Sequence, residues 1–366
     1  MFALGFAWPE QHLEWYKALE ERPWMLGLVN VSEPAMDTFL ILSGFLAASS
    51  LLPALQSGRS PLQARTEARL ALMLPSYYAT LALVYAAFLP LLEIDNARAP
   101  EAQRAIGTLW FNEGDGCPNK LWTNFLFANN QVERAGCMKY AWSQAVQMQF
   151  FLLCPLLMLC LRQGGKKGMA GRLAKACGGI IAVVTAYRAA IALDFKLPVP
   201  VFGPLEDPEA LALMTRTLQV SYYSLLPRLT HLAFGMLGSC ATHNISSARA
   251  LMVFGVAGVT GLLQPAALTY LLCCAVLELS RQASRMLMWK GWRKVSDLSY
   301  DIYLLHPMVM YAVWTVLPPS AWLNVQKPSA ANFVVVSSMV FWVSLGLARM
   351  HSRIWCHVIG PQRRQA

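Results

Sequence analysis

The sequence predicts an all-α fold, a polytopic integral membrane helix bundle of about nine transmembrane helices. Three observations carry this. Of 366 residues, 56% are hydrophobic and only 14% are charged, with a mean hydropathy of +0.41; a soluble chain carries roughly 25% charged residues. The apolar residues gather in runs long enough to cross a hydrocarbon core of about 30 Å as helices. The basic residues collect in alternate connections between those runs, the pattern in which positive charge marks the cytoplasmic side.

Spans are expected near 36–54, 70–92, 142–161, 173–193, 226–242, 249–264, 265–280, 298–317 and 331–350. The first holds Asp37 inside an otherwise apolar run. The second opens at Arg69. The fourth carries Arg188, and the fifth is entered through Pro227-Arg-Leu-Thr-His231. The sixth and seventh are each short, and Gln264-Pro265 must make the turn between them. Glu278 lies near the end of the seventh, and the eighth carries Tyr303 and His306 before Pro307.

Charge then orients the chain. The segments around 55–69, 162–175, 243–249, 281–296 and 349–366 hold eighteen lysines and arginines and one acid, Glu67. The opposite segments, 1–35, 93–141, 194–225 and 318–330, hold most of the acids. The basic set is therefore read as cytoplasmic, C-terminus included. The expected organisation is an outer or lumenal segment 1–34, a membrane domain 35–352 with an outer loop 93–141, and a basic cytoplasmic tail 353–366. An odd span count leaves Met1 outside, and residues 1–15 have neither the basic start nor the apolar run of a signal peptide. An upstream span, or N-out insertion of the first span, would account for that.

Several function classes fall away. The net charge of +10 does not indicate nucleic acid, because its basic residues sit in short connections between spans. The nine cysteines show no metal spacing, and seven lie in or beside apolar runs as small hydrophobes. Cys117 and Cys137 share the polar outer loop on the oxidising side, where a disulfide is expected. There is no phosphate-binding glycine loop, zinc-binding helix motif or Gly-x-Ser-x-Gly elbow.

The candidate chemistry lies in the polar residues of the spans. A carboxylate such as Asp37 is costly in lipid and faces a polar interior or a partner; the competing reading makes it the N-cap of its span, with Ser43 and Gly44 as helix-packing residues. Tyr303 and His306, three apart, share a helix face. A neutral imidazole exchanges protons near pH 7; the competing reading is a packing histidine before a proline kink. Arg69 at the mouth of the second span suits an anionic ligand, or merely snorkels. Arg228 and His231 enter a span together.

The segment Asp37-Thr-Phe-Leu-Ile-Leu-Ser-Gly-Phe-Leu46 resembles the Asp-Thr-Phe-Phe-x-Leu-Ser-Gly-Phe signature of the membrane acyltransferase-3 family. Further blocks agree in order: Arg69 to Pro75, Leu121 to Asn130 flanked by Cys117 and Cys137, Trp142 through Gln149-Phe-Phe151 to Pro155, Arg228 to Gly238, and Ser299 to Pro307. The Leu121–Asn130 block resembles the nose-resistant-to-fluoxetine branch. The resemblance implies an enzyme that moves an acyl group from acyl-CoA, a co-substrate rather than a bound cofactor, to a hydroxyl-bearing acceptor such as a sugar or lipid. Its partners would be the lipid bilayer, acyl-CoA and that acceptor. Asp37, Tyr303 and His306 become the catalytic candidates, directed with Ser43 toward one polar interior; Arg69, Ser43, Arg228 and Gln149 become the substrate-binding candidates. Departures stand at Leu72 and at Val146-Gln147, where the family carries arginine and Asn-Asp. Its first span also ends in a histidine that nothing before Asp37 matches; His12 lies in a polar segment. These departures support an alternative, a non-catalytic member that binds or transports a lipid or small apolar molecule.

Overall fold

The computed structural model describes residues 32–56, 67–96, 111, 116–132, 137–162, 168–194, 219–244, 290–316 and 330–359. Every regular element among them is helical: α1 (Ser32–Gln56), α2 (Glu67–Leu83), α3 (Leu89–Asn96), α4 (Gly116–Phe125), α5 (Trp142–Arg162), α6 (Met169–Asp194), α7 (Leu225–Asn244), α8 (Lys290–Val316) and α9 (Ala330–Ile359). Among the described residues, five stretches are long and apolar enough to cross a membrane: Met36–Ala54, Met73–Glu93, Lys139–Arg162, Met169–Ile191 and Val334–Ile354. α7 and α8 have the length of a span as well, but Arg228, His231, Asp297 and Asp301 interrupt their apolar sequence. The protein is thus an integral, multi-pass membrane helix bundle. Seven of the expected spans coincide with these helices; 249–264 and 265–280 lie outside the described residues.

Local chemistry explains two departures from straight helices. α2 runs into α3 through a wide π turn, Val84–Phe88, closed by the Leu89 N–H on the Val84 carbonyl. Pro90 follows and has no N–H to return to the helix, so the wider turn absorbs the break. α1 begins at Ser32, five residues before Asp37. Asp37 is therefore inside the helix, and the N-cap reading is set aside.

The bundle is organised by close approach. α1 and α7 run parallel with their backbones in contact. A Cβ on Gly44 would fall 2.1 Å from the Leu232 carbonyl oxygen, and one on Gly235 would fall 1.9 Å from that of Ile41. Small residues at such crossings let polar neighbours meet: farther along, the hydroxyls of Ser49 and Ser239 are 2.9 Å apart. α6 packs antiparallel along α7, with Ile181 against Phe234. α8 packs on α9, tied by His351 Nδ1 and Asp301 Oδ1 at 3.2 Å. α5 stands between these groups, and its first two turns, Trp142–Met148, are wholly buried.

Residues 116–132 do more than connect. The Tyr77 hydroxyl donates to the Asn124 carbonyl at 3.3 Å, that of Tyr78 donates to the Phe125 carbonyl at 2.9 Å, and Gln149 Nε2 donates to the Phe127 carbonyl at 2.7 Å. Gln149 lies ten residues into the apolar stretch Lys139–Arg162, about 15 Å along its helix. The segment therefore reaches the middle of the spans. Its polarity is inverted accordingly. Thr123, Asn124, Asn129 and Asn130 are buried, whereas Trp122, Phe125 and Leu126 are half or more exposed. An apolar outside and a polar inside suit hydrocarbon, where irregular backbone survives only if protein satisfies it. Phe127 turns the chain at φ +52°.

Cys117 and Cys137 form a disulfide at the neck of this segment, with Cα atoms 4.4 Å apart. The expected bond is present. Replacing both by serine should cost about 3 kcal/mol through the freed loop, read as a lower melting temperature in mild detergent. The same melt after reduction of the native chain should match it.

Candidate functional site

The site is built where the N-terminal turns of α1, α5 and α7 meet. Asp37 is on α1, one helical turn before Ile41, so the Gly44–Gly235 crossing brings its carboxylate against α7. Arg228 Nη1 donates to Asp37 Oδ1 at 2.5 Å, and His231 Nε2 lies 3.4 Å from the same oxygen. Arg228 and His231 are three apart, hence on one face of α7. The Arg228 Nε donates to the Tyr222 carbonyl at 2.7 Å, in a π turn, Gln219–Tyr223, that precedes α7. Its guanidinium carbon stands 3.9 Å from the centre of the Tyr222 ring and 5.1 Å from that of Trp142. Aromatic faces favour a planar cation. Both Arg228 and His231 are almost fully buried.

α5 carries the network onward. Gln147 Nε2 donates to Ser43 Oγ at 2.9 Å, and Ser43 in turn donates to the Phe39 carbonyl. One turn back, Ser143 Oγ is 2.7 Å from the Tyr303 hydroxyl, which donates to the Tyr140 carbonyl at 2.5 Å. A tyrosine hydroxyl has one proton, so Ser143 is the donor of the pair. Tyr140 returns the contact, donating to the Leu304 carbonyl at 3.1 Å. The start of α5 is thereby fastened to the middle of α8.

His306 is held by the proline beside it. Pro307 has no N–H, so the Tyr303 carbonyl four residues back loses its helical partner. His306 Nδ1 fills the place at 2.7 Å. A carbonyl oxygen only accepts, so Nδ1 carries the proton, and in the neutral ring Nε2 keeps a lone pair. The ring packs edge-on near Tyr140, with centroids 6.4 Å apart.

A family model described as an acyltransferase domain matches residues 6–349. The chain belongs to the acyltransferase-3 family. No curated protein and no solved structure matches the chain. Membership gives this bundle an acyltransferase-type function at a membrane. In this acyltransferase-3 chain, α5 and the tight turn Lys139–Ala141 before it join two polar groups: Asp37, Arg228, His231 and Ser43 through Trp142 and Gln147, and Tyr303 and His306 through Tyr140 and Ser143. Gln149 is elsewhere, two residues past Gln147 and so on the opposite side of α5. Its amide is paired with that of Asn130 in both directions, at 3.1 and 2.7 Å, and also meets Phe127 and Gln131. These contacts use its donors and acceptors on the 116–132 segment. Arg69 lies in the first turn of α2, and its side chain is outside the described residues. Sequence reasoning had not connected His231 with Asp37, nor noticed Ser143 and Tyr140. Gln147, seen as a departure from the family's acid, is the residue that bonds Ser43.

Proposed function

We propose that the chain transfers an acyl group from acyl-CoA to a hydroxyl-bearing acceptor, a sugar or a lipid, with His306 as general base. The observation that supports this most is the Pro307–Tyr303–His306 arrangement, which keeps Nε2 as the basic nitrogen. In the proposed reaction the acceptor oxygen bonds to the thioester carbon while its proton passes to Nε2. The tetrahedral intermediate then breaks its C–S bond, and the CoA thiolate leaves with the proton from the imidazolium. Ser143 and Tyr303 position the helix that bears the histidine. Asp37, Arg228 and Ser43 form the polar wall for the acceptor, and Arg69 meets the donor phosphates from a cytoplasmic side shared with the C-terminus. The Cys117–Cys137 disulfide and the Leu121–Asn130 block support the nose-resistant-to-fluoxetine-like branch.

His306→Asn tests the base. The asparagine amide can still donate to the Tyr303 carbonyl, so the fold should persist, but no basic nitrogen remains. Transfer from acyl-CoA should fall about 10²–10⁴-fold in kcat, with the melting temperature within a few degrees of the parent. Transfer retained within a factor of three would remove His306 from this role.

A further inference from the structure

We propose that the disulfide end of the bundle, between α1, α6 and α7, holds a subsite for a singly charged oxyanion, a carboxylate or a phosphodiester. Four observations lead there. First, the Arg228 guanidinium is almost fully committed: Nε to Tyr222, Nη1 to Asp37, and its surroundings to two aromatic rings. Nη2 alone has no hydrogen-bond partner among the described residues, and it is buried. Buried N–H groups of charged side chains are seldom left so. Second, His231, one turn along the same face, also has a buried Nδ1 without a partner among the described residues; with Nε2–H turned to Asp37 this nitrogen is an acceptor, suited to a hydroxyl carried beside the anion and not to the anion itself.

Third, a second guanidinium stands nearby. Ile181 packs on Phe234 across α6 and α7, and the antiparallel packing of the two helices carries Arg188, two turns beyond Ile181, toward Arg228, and Cys177 toward Cys240, each pair within electrostatic reach. The numbers rise on one helix and fall on the other, as antiparallel packing demands. Arg188 is within electrostatic reach of both Asp37 and Arg228. Fourth, Arg188 has no ion pair or hydrogen bond among the described residues, although it is half-buried in an apolar helix.

The charge arithmetic follows. With the imidazole neutral, two guanidiniums face one carboxylate, an excess of one positive charge. A water would satisfy Nη2 but would not neutralise Arg188. In a membrane interior an uncompensated arginine is costly, and an anion bound by two guanidiniums makes charge-assisted hydrogen bonds of the stronger kind. One negative charge completes the cluster. The subsite rests on the acyl-transfer reading only for its occupant, the acceptor. A soluble carboxylated acceptor and a phospholipid headgroup offer the same chemistry.

The test is ligand binding by the full chain, purified in an uncharged detergent and followed by thermal unfolding. One arm titrates glucuronate, the other dihexanoyl phosphatidylglycerol, each against sodium chloride of equal ionic strength. Saturable stabilisation in the first arm identifies a soluble carboxylate, and in the second a lipid phosphodiester; either supports the proposal. Arg188→Gln should then weaken binding about 10- to 100-fold, Arg188→Lys should weaken it less, and Lys175→Gln, an exposed charge on the same helix, should leave it unchanged. No stabilisation beyond sodium chloride in either arm would overturn the proposal, as would undiminished binding by Arg188→Gln. Binding without acyl transfer would count against the enzymatic reading alone.

Discussion

Asp37→Ala should destabilise the bundle by about 3–5 kcal/mol, the range found when one member of a buried ion pair is removed. The carboxylate oxygen is shared by Arg228 and His231, so its loss strands a buried guanidinium and leaves Nε2 of His231 without its acceptor. Arg228→Met alone should also be costly, because it leaves Asp37 with only the imidazole. The double variant Asp37→Asn/Arg228→Met should recover most of the loss. The asparagine oxygen remains an acceptor for His231, and methionine refills the space of the arginine stem without its charge. Unfolding of the parent, Asp37→Asn, Arg228→Met and the double variant in mild detergent closes the cycle and gives the coupling between the two positions, expected to be about 1 kcal/mol or more for residues in direct contact. Strictly additive losses would mean that the pair is not formed. If the double variant is stable but transfers no acyl group, the charges serve chemistry as well as packing.

Gly235→Ala should be the next most damaging change, at about 1–3 kcal/mol, and it should act at a distance. The added methyl has no flexible side chain to displace: Ile41 O at 1.9 Å and Phe45 N at 2.6 Å are backbone atoms of α1. The helices must separate, and separation pulls Asp37 from Arg228. Acyl transfer should therefore fall with stability, although the added methyl meets the backbone of Ile41 and Phe45 and no charged group of the candidate site. Gly44→Ala should behave alike, against Leu232. Gly178→Ala and Gly179→Ala supply the contrast, since nothing lies within 4 Å of a Cβ at either position. Alanine's better helix propensity should make them neutral or stabilising by up to about 1 kcal/mol each. Equal effects at Gly235 and Gly178 would refute the tight crossing.

The fold was legible in the sequence because hydrophobic runs and loop charges are local or periodic signals. Asp37, Arg228, Tyr303 and His306 stood out for a related reason: a polar residue inside an apolar run is conspicuous by itself. Their partners were not. Ser143 and Tyr140 are unremarkable in their own segments, and only the packing of helices far apart in sequence gives them a role and pairs His231, conspicuous beside Arg228, with Asp37. The 116–132 segment shows the same limit from the other side. Its asparagines read as a polar loop, because sequence records polarity but not the direction each residue faces. Gln149 looked like a site residue on resemblance, and the structure spends its amide on that segment.

The distance in sequence between the paired charges also sets a timetable. Asp37 and Arg228 are 191 residues apart, and at about 5–20 residues per second a ribosome needs roughly 10–40 s to make the interval. For that time α1 has been synthesised while its acid lacks the partner that later neutralises it. Such a helix, with a carboxylate in its second turn, gains little from leaving the translocation channel early. The parallel α1–α7 crossing then becomes a late event in biogenesis, and α1 depends on a temporary host, channel or chaperone, until α7 arrives.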